Sequence, residues 1–215
     1  ILTSPITYII VFALIIRIVM VNYGLPFWLY NDEPPFVLAA LKMMQLKSIL
    51  PVLHESDFTP FLYYPPYISY LYLPFFVITA LFSYAFFNGS LSEFQSFVAS
   101  DPSIFFLTGR VIMILISLIS IYLIYRIVLS LTKDRLSALT SAFLAATSSM
   151  HIILSITGKH WMPILFFYAL GLFCLSNESW SFRKRFLLSA LITGIGAGVS
   201  SIIILFTLMM VFWYL

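Results

Sequence analysis

The chain has 215 residues, of which 62% are hydrophobic, 18% aromatic and only 9% charged, with a formal net charge of +3. A water-soluble domain cannot cover this composition with polar surface, so that class of protein is excluded. The few basic residues flank apolar runs and form no basic face, which also excludes a nucleic-acid-binding protein. We therefore predict an all-α, multi-pass integral membrane protein, a bundle of transmembrane helices surrounded by membrane lipids.

The first predicted membrane span covers residues 3–24 and contains Arg17. Arg17 interrupts the apolar run and no small-residue cleavage site follows it, so the segment is predicted to be a retained anchor. A cation inside a span is costly, which makes Arg17 a candidate functional residue, and snorkelling to the interface is the alternative. Because the sequence begins with Ile1 and ends inside the uncharged run MMVFWYL, we expect it to be the N-terminal part of a longer protein.

The segment YNDEPPF, residues 30–36, follows this span and places two carboxylates side by side, Asp32 and Glu33. One interpretation is structural, because acids at the start of a helix that opens with proline satisfy its amide groups and its dipole. The other interpretation is chemical, because a carboxylate held at the outer membrane surface can act as a base.

Residues 25–103 are predicted to form one large external loop that carries juxtamembrane helices lying in the interface. Within it, residues 34–48 are predicted to be helical, because apolar residues recur at helical spacing and polar ones lie opposite. The stretches LHESDFTP (53–60) and NGSLSEFQ (88–95) are predicted to be polar loops. The apolar stripe of the predicted helix consists of Val37, Leu38, Leu41 and either Met43 or Met44.

The uncharged run 58–92 is long enough to cross the membrane, yet its composition favours an interfacial position. Tyrosines crowd its first half, and tyrosine prefers the headgroup level to the hydrocarbon centre. Pro65, Pro66 and Pro74 are predicted to break the helix. We therefore predict interfacial helices here, and an even pair of short crossings is the alternative.

Further spans follow the external loop, and we predict them over residues 104–129, 136–158, 160–177 and 186–215. The last is expected to be interrupted at GIGAG, where Gly194 and Gly198 predict close helix packing. The small residues of SALTSAFLAATSS (137–149) predict close packing in the same way.

The basic loops set the orientation of these spans. TKDR (132–135) and SFRKR (181–185) are predicted to be cytoplasmic by the positive-inside rule. The span 104–129 then starts on the external side. If residues 67–87 do not cross, the external loop holds six of the eight acidic residues of the chain.

Basic side chains lie near the external side in this topology. Arg110 lies in the outer half of span 104–129. A charge inside a span is a functional hypothesis by default, and snorkelling to the interface is the alternative. Lys159 and His160, in TGKHW, form the turn after span 136–158, where they are either membrane anchors or site residues.

Other polar residues are assigned no chemistry by the sequence. His54 and Glu55 have no spacing specific to a metal site, so no metal ligand is predicted. His151, near the end of a span, is predicted to be hydrogen-bonded inside the protein.

The ordered set of segments resembles the integral-membrane GT-C glycosyltransferases, in the branch of the protein O-mannosyltransferases and the lipid A aminoarabinose transferases. The resemblance covers nearly all of the chain, and the order of the segments carries it more than any single motif. After the first span, the segments are NDEPPFVLAALKMMQ, YYPPYISYLYLPF, TGRVIMILISLISIYLIYRI and DRLSALTSAFLAATSSMHIILSITGKHWMPILFFYAL.

The resemblance implies a GT-C-like fold and a transferase acting at the external or lumenal face of a plasma, inner or endoplasmic-reticulum-type membrane. The donor would be a sugar on a polyprenyl phosphate, and the acceptor a hydroxyl of a protein, a lipid or a glycan. Asp32 would be the general base, and Glu33 would hold either the geometry or an acceptor. Arg110 would stabilise charge on the leaving lipid phosphate.

Arg17, Lys159, His160 and Tyr64 are further candidates for contacts to substrate or lipid phosphate. Tyr63 and Tyr64 stand before the Pro-Pro pair, where the lipid A branch has an acid and a lysine. A divalent metal is the one possible cofactor. The residues before the Pro-Pro pair would not supply the carboxylate ligand that the family has at that position. Lys159 and His160 stand where the family often has a second acid.

A non-enzymatic membrane protein is the alternative class. It would be a flippase or transporter of lipid-linked sugars, or an inactive partner subunit. Transporters usually place polar residues at mid-span, and the predicted spans have almost none below the outer leaflet. The missing second acid leaves the inactive subunit as an open alternative.

Overall fold

The computed structural model describes residues 4–26, 32–61, 65–205 and 209, and every regular element in these ranges is helical. The prediction of an all-α protein is therefore confirmed for the described residues. Two short 3₁₀ helices cover Pro51–His54 and Ser201–Ile203. The α-helices are α1 (Pro5–Met20), α2 (Pro34–Leu46), α3 (Glu55–Phe58), α4 (Tyr67–Ala85), α5 (Leu91–Ser100), α6 (Ser103–Thr132), α7 (Arg135–Thr147), α8 (Ser149–Ser155), α9 (Trp161–Ser176) and α10 (Phe182–Ala197).

The described helices support the assignment to membrane proteins. By length and composition, α4 and α6 can each cross a membrane, and the bent pairs α2–α3 and α7–α8 raise the number of candidate spans from two to as many as four. α1 and α9 are shorter apolar helices. How many of these helices cross stays a prediction.

The predicted span 136–158 is not one helix, which corrects the sequence-based expectation. It consists of α7 and α8, whose axes differ by 59°. Ser148 separates them in a non-helical conformation, with ψ at 121°, and its hydroxyl accepts a hydrogen bond from the amide of His151. A serine that caps a new helix competes with continuation of the old one, and this explains the break.

The run 67–85 also differs from expectation, because Pro74 does not break it. α4 continues through Pro74 as one helix of 19 residues. A proline in a helix removes one backbone hydrogen bond, and packing of the neighbouring apolar side chains compensates for this loss. Whether α4 lies in the interface, as predicted, is a separate question from its continuity.

Two segments predicted to be polar loops contain helices. Residues 53–60 form the end of a 3₁₀ helix and α3, and residues 88–95 contain the start of α5. Ser90 and Glu93 form a capping box, in which each side chain bonds the backbone amide of the other residue. The spacing Ser-x-x-Glu is a helix-start signal, and the sequence-based prediction overlooked it.

The described chain divides into two compact units: unit 1 holds residues 1–20, 113–156 and 160–215, and unit 2 holds residues 21–112 and 157–159. In unit 1, α1 packs on α7, where Ala138, Ala142 and Ala146 are fully buried. This confirms close packing of the small residues in 137–149.

The prediction of close packing at Gly194 is wrong. A Cβ added at Gly194 would meet nothing within 4 Å, whereas one added at Gly196 would lie 2.9 Å from Phe167 of α9. The close approach of α9 and α10 therefore occurs at Gly196. The expected interruption at GIGAG is present, since α10 ends at Ala197.

In unit 2, α2 packs along α4. The Ser69 hydroxyl donates to the Phe36 carbonyl at 2.9 Å, and Met43 is buried against Phe58. The buried face of α2 is rotated relative to the predicted stripe, because Leu38, Leu41 and Met44 are only partly buried. The buried residues of this helix are Pro35, Phe36, Val37, Ala39, Ala40 and Met43.

Candidate functional site

The two carboxylates of YNDEPPF bind basic side chains and do not cap α2. Glu33 occupies the N-cap position, yet its side chain makes no capping hydrogen bond. Its carboxylate binds Arg110, and the neighbouring carboxylate of Asp32 binds Lys159. The structure therefore disagrees with the capping interpretation and places four of the predicted site residues together in unit 2.

Glu33 and Arg110 form a buried, bidentate ion pair. Arg110 donates from Nε to Oε1 of Glu33 at 2.8 Å and from Nη2 to Oε2 at 2.7 Å. Both side chains are 0% exposed. The Nη1 group of Arg110 donates to the backbone carbonyls of Val21 and Tyr23, both at 2.8 Å. These bonds use four of the five N–H donors that a guanidinium has.

Gly158, between α8 and α9, completes this buried cluster. Its amide donates to Oε1 of Glu33 at 2.8 Å. A Cβ at this position would lie 2.9 Å from the same oxygen and 3.1 Å from the hydroxyl of Tyr72. The backbone can come this close to the carboxylate only because residue 158 has no side chain.

Tyr72 of α4 lies against the same cluster and was not predicted as a site residue. Its side chain is fully buried, and its hydroxyl has no hydrogen-bond partner within the described residues. Its ring packs against Gly109, where an added Cβ would lie 3.2 Å from Cζ. The one sequence signal for this contact is that two glycines, Gly109 and Gly158, stand next to charged residues and leave room for a large side chain.

Asp32 and Lys159 form the accessible part of the cluster. Their side chains are 3.2 Å apart from Oδ2 to Nζ, and they are 48% and 16% exposed, respectively. Asp32 is the half-exposed partner of this pair, so its carboxylate can be reached by a ligand. Glu33 is thus held in a buried ion pair, whereas the neighbouring Asp32 is partly exposed to a ligand.

Arg17 lies in unit 1 and is fully buried, so the snorkelling alternative is wrong. It donates to the carbonyls of Ala13 at 2.8 Å and Ala146 at 3.3 Å, and its Nη2 lies 2.8 Å from Nδ1 of His151. Among the described residues no carboxylate forms an ion pair with it. The hydrogen-bonded role predicted for His151 is confirmed, and the phosphate-binding role of Arg17 stays a prediction.

The remaining predicted site residues are placed less favourably or lie outside the described residues. His160, also in unit 1, is 6% exposed and its ring centroid lies 4.7 Å from that of Trp161. Tyr64 lies outside the described residues. Within the described part of the chain no three His, Cys, Asp or Glu side chains are grouped as a metal site.

The candidate site therefore consists of the half-exposed carboxylate of Asp32, its partner Lys159, and the buried cluster of Glu33, Arg110 and Gly158. This arrangement can hold a hydroxyl close to a base and an anion close to a cation. Comparisons of the chain with protein-family models, with curated proteins and with solved structures found no significant match.

Proposed function

We propose that the protein is a membrane glycosyltransferase. It would move a sugar from a polyprenyl-phosphate donor to an acceptor hydroxyl at the external or lumenal face, with Asp32 as general base. The observation that carries the proposal is the division of labour between adjacent acids. Glu33 is locked to Arg110, and the backbone that it fixes presents the half-exposed carboxylate of Asp32 beside Lys159.

The depth of the site suits a substrate whose reacting group lies at the membrane surface. Arg110 lies seven residues after the start of α6, which is about 10 Å along a helix. With 30 residues, α6 is about 45 Å long and exceeds a hydrocarbon core of about 30 Å at both ends. Arg110 then lies near the outer boundary of the core, at the level of lipid phosphates.

The proposed step moves one proton and exchanges one bond. The carboxylate of Asp32 takes the proton of the acceptor hydroxyl. At the same time the acceptor oxygen bonds to the anomeric carbon of the sugar. The bond from that carbon to the lipid phosphate oxygen breaks, and the phosphate leaves with the electron pair. The ammonium of Lys159 stabilises the charge that develops on the phosphate.

Arg110 has a different part in this proposal from the one that the sequence predicted. Its donors face Glu33 and two backbone carbonyls, and its side chain is fully buried. We therefore assign it to positioning the segment that carries Asp32. Lys159 takes over the contact to the leaving phosphate.

The test measures sugar release from a set of polyprenyl-phosphate sugars by the protein in membranes. Replacing Asp32→Asn keeps the size of the side chain and removes the base, so we expect turnover to fall at least about a hundredfold. The matched control is Asp57→Asn, since Asp57 is also a partly exposed acid of unit 2 and pairs with Lys42 at 3.3 Å. The control should keep the activity of the wild type.

Two outcomes would contradict the proposal. Equal turnover in the Asp32→Asn variant and the wild type would mean that Asp32 is not the base. No turnover by the wild type with any donor would favour the non-enzymatic classes, a flippase or an inactive partner subunit.

A further inference from the structure

A small cavity in unit 1 lies between the C-terminal ends of α6 and α9. Its volume is about 170 Å³, and we name it the Arg126 cavity. Both helices end next to the basic loops that the positive-inside rule places in the cytoplasm. The lining residues are Arg126, Leu129 and Ser130 of α6, Phe173 of α9, and Asn177.

Arg126 is held in the cavity by aromatic rings. Its Nη1 donates to the hydroxyl of Tyr122 at 3.0 Å, and Cζ lies 5.8 Å from the centroid of that ring and 5.5 Å from that of Phe173. In the described part of the chain Arg126 has no carboxylate partner. A cation fixed by ring faces keeps its charge uncompensated, and its remaining N–H groups are available to an anion.

Asn177 adds a second donor to the cavity. Its Oδ1 accepts hydrogen bonds from the amide of Ser179 at 3.3 Å and from the hydroxyl of Ser179 at 2.6 Å. A backbone amide can only donate, so these bonds fix the orientation of the side-chain amide. The Nδ2 group of Asn177 is therefore the donor left for a ligand.

The surroundings of the cavity are strongly basic. Residues 126–135 and 177–185 hold six basic and two acidic side chains. Lys133 is neutralised by Glu178 at 2.8 Å. Lys184, in contrast, lies 4.6 Å from the ring centroid of Trp180. Cations resting on aromatic rings are typical of protein surfaces at the level of lipid headgroups.

We propose that the Arg126 cavity binds the phosphodiester headgroup of an anionic phospholipid. Arg126 and Asn177 would donate to the phosphate oxygens, while Leu129 and Phe173 would contact the apolar part of the lipid. A free phosphate ion would use the donors and leave both apolar walls without a partner. Basic pockets between transmembrane helices on the cytoplasmic side are suited to acidic lipid headgroups. The inference is independent of the proposed transferase activity.

The test uses the protein in a zwitterionic detergent, where no charged membrane surface contributes to binding. Native mass spectrometry compares phosphatidylglycerol with phosphatidylcholine of the same acyl chains, and inorganic phosphate is added as a competitor. We expect phosphatidylglycerol to bind the wild type at least about tenfold more tightly than phosphatidylcholine does. In Arg126→Gln the affinity for phosphatidylglycerol should be about tenfold lower than in the wild type. Arg183→Gln is the matched control, since Arg183 is exposed like Arg126 but does not line the cavity.

Several outcomes would overturn the proposal. Equal affinity for the two lipids would exclude a site for an anionic headgroup. Equal losses of phosphatidylglycerol affinity in Arg126→Gln and Arg183→Gln would mean that the net positive charge of this region, and not the cavity, causes binding. Displacement of the lipid by an equal concentration of inorganic phosphate would identify a site for free phosphate. If Arg126→Gln does not fold, Asn177→Asp tests the same cavity, because its carboxylate would repel the phosphate while Arg126 stays on its rings.

Discussion

At the scale of single residues, the two adjacent acids of YNDEPPF are used in opposite ways. Burying the ion pair of Glu33 and Arg110 costs several kcal/mol of desolvation for each charge, and only good geometry offsets this cost. Two hydrogen bonds between the side chains, one from Gly158 and two to backbone carbonyls supply that geometry. The pair is therefore a fixed point on which the accessible neighbour Asp32 depends.

Removing one member of the buried pair should strongly destabilise the protein. Glu33→Gln leaves the charge of Arg110 buried without compensation, and such changes cost about 3–5 kcal/mol. The matched control is Asp57→Asn, which breaks the exposed pair with Lys42 and should cost no more than about 1 kcal/mol. Thermal unfolding in detergent measures both, and similar shifts in the two variants would show that Glu33 and Arg110 do not support the fold.

Replacing Gly158 should be harmful for steric reasons, although alanine normally suits the backbone better than glycine. The new Cβ would lie 2.9 Å from the Glu33 carboxylate and 3.1 Å from the Tyr72 hydroxyl. Overpacking of a buried site costs about 1–3 kcal/mol. Gly194→Ala is the control, because its Cβ meets nothing within 4 Å and helical alanine is preferred by up to about 1 kcal/mol.

The two glycine variants should thus shift the unfolding temperature in opposite directions. A stabilised Gly158→Ala variant would mean that the cluster around Glu33 is looser than described. If Gly158→Ala is destabilised but keeps the Asp32-dependent activity, the packing around Glu33 supports the fold and is not needed to position Asp32.

The sequence allowed the charged residues of the site to be predicted, but not their partners. Asp32, Glu33, Arg110 and Lys159 attract attention because charge is rare in this chain and costly in a membrane. Their pairing joins segments 77 and 127 residues apart, and no local pattern contains that information. Tyr72 escaped notice for the same reason, since one tyrosine among many has no signal of its own.

At the scale of elements, helix ends depended on polar side chains that a hydropathy pattern does not show. Ser148 ends α7 and starts α8 within an otherwise apolar run. Arg17 then donates to the carbonyl of Ala146, in the last turn before this break. A carbonyl near a helix end lacks its helical partner, and a buried side-chain donor stabilises the bend.

The capping box of α5 should make this helix sensitive to acid. Hydrogen bonds from the Ser90 backbone and hydroxyl lower the pKa of Glu93 below its ordinary value of 4.5. A carboxyl group whose pKa is depressed by folding stabilises the helix above its unfolded pKa. This contribution is lost as the pH falls from about 4.5 through the folded pKa.

Amide hydrogen exchange of α5, corrected for the intrinsic effect of pH, should show this loss. Protection should fall on acidification below about pH 4.5 in the wild type and should change less in Glu93→Gln, which has no titrating group there. Glutamine can still accept a bond from the Ser90 amide, so the helix itself is retained. The same pH dependence in both proteins would exclude Glu93 as its source.

At the scale of the whole molecule, the contacts of Glu33 restrict the path of the chain through the membrane. If the basic loops are cytoplasmic, as the positive-inside rule predicts, Arg110 and Gly158 are expected on the external side. Glu33 bonds both of them, so we expect it on that side as well. The chain between Glu33 and α6 would then cross an even number of times, and α4 would not be a single crossing.

The geometry of α2 and α3 favours no crossing over two. With 13 residues, α2 is about 20 Å long, which is shorter than a hydrocarbon core of about 30 Å. The segment Pro51–Phe58, made of a 3₁₀ helix and α3, follows after a bend of 77° and adds little length along the axis of α2. The alternative in which α2–α3 and α4 cross as a pair would thus require a much thinner membrane.

Labelling of single cysteines decides between these paths. Cys174 is the chain's one cysteine and is buried, so a Cys174→Ala background carries Thr59→Cys between α3 and α4, Gln95→Cys in α5, or Ser179→Cys after α9. In intact cells, a membrane-impermeant maleimide should label positions 59 and 95, whereas position 179 should react only after permeabilisation. If position 59 alone changes sides, α2–α3 and α4 cross as a pair. If position 95 is protected and position 179 is labelled, the orientation is inverted, and the external site proposed for Asp32 is wrong.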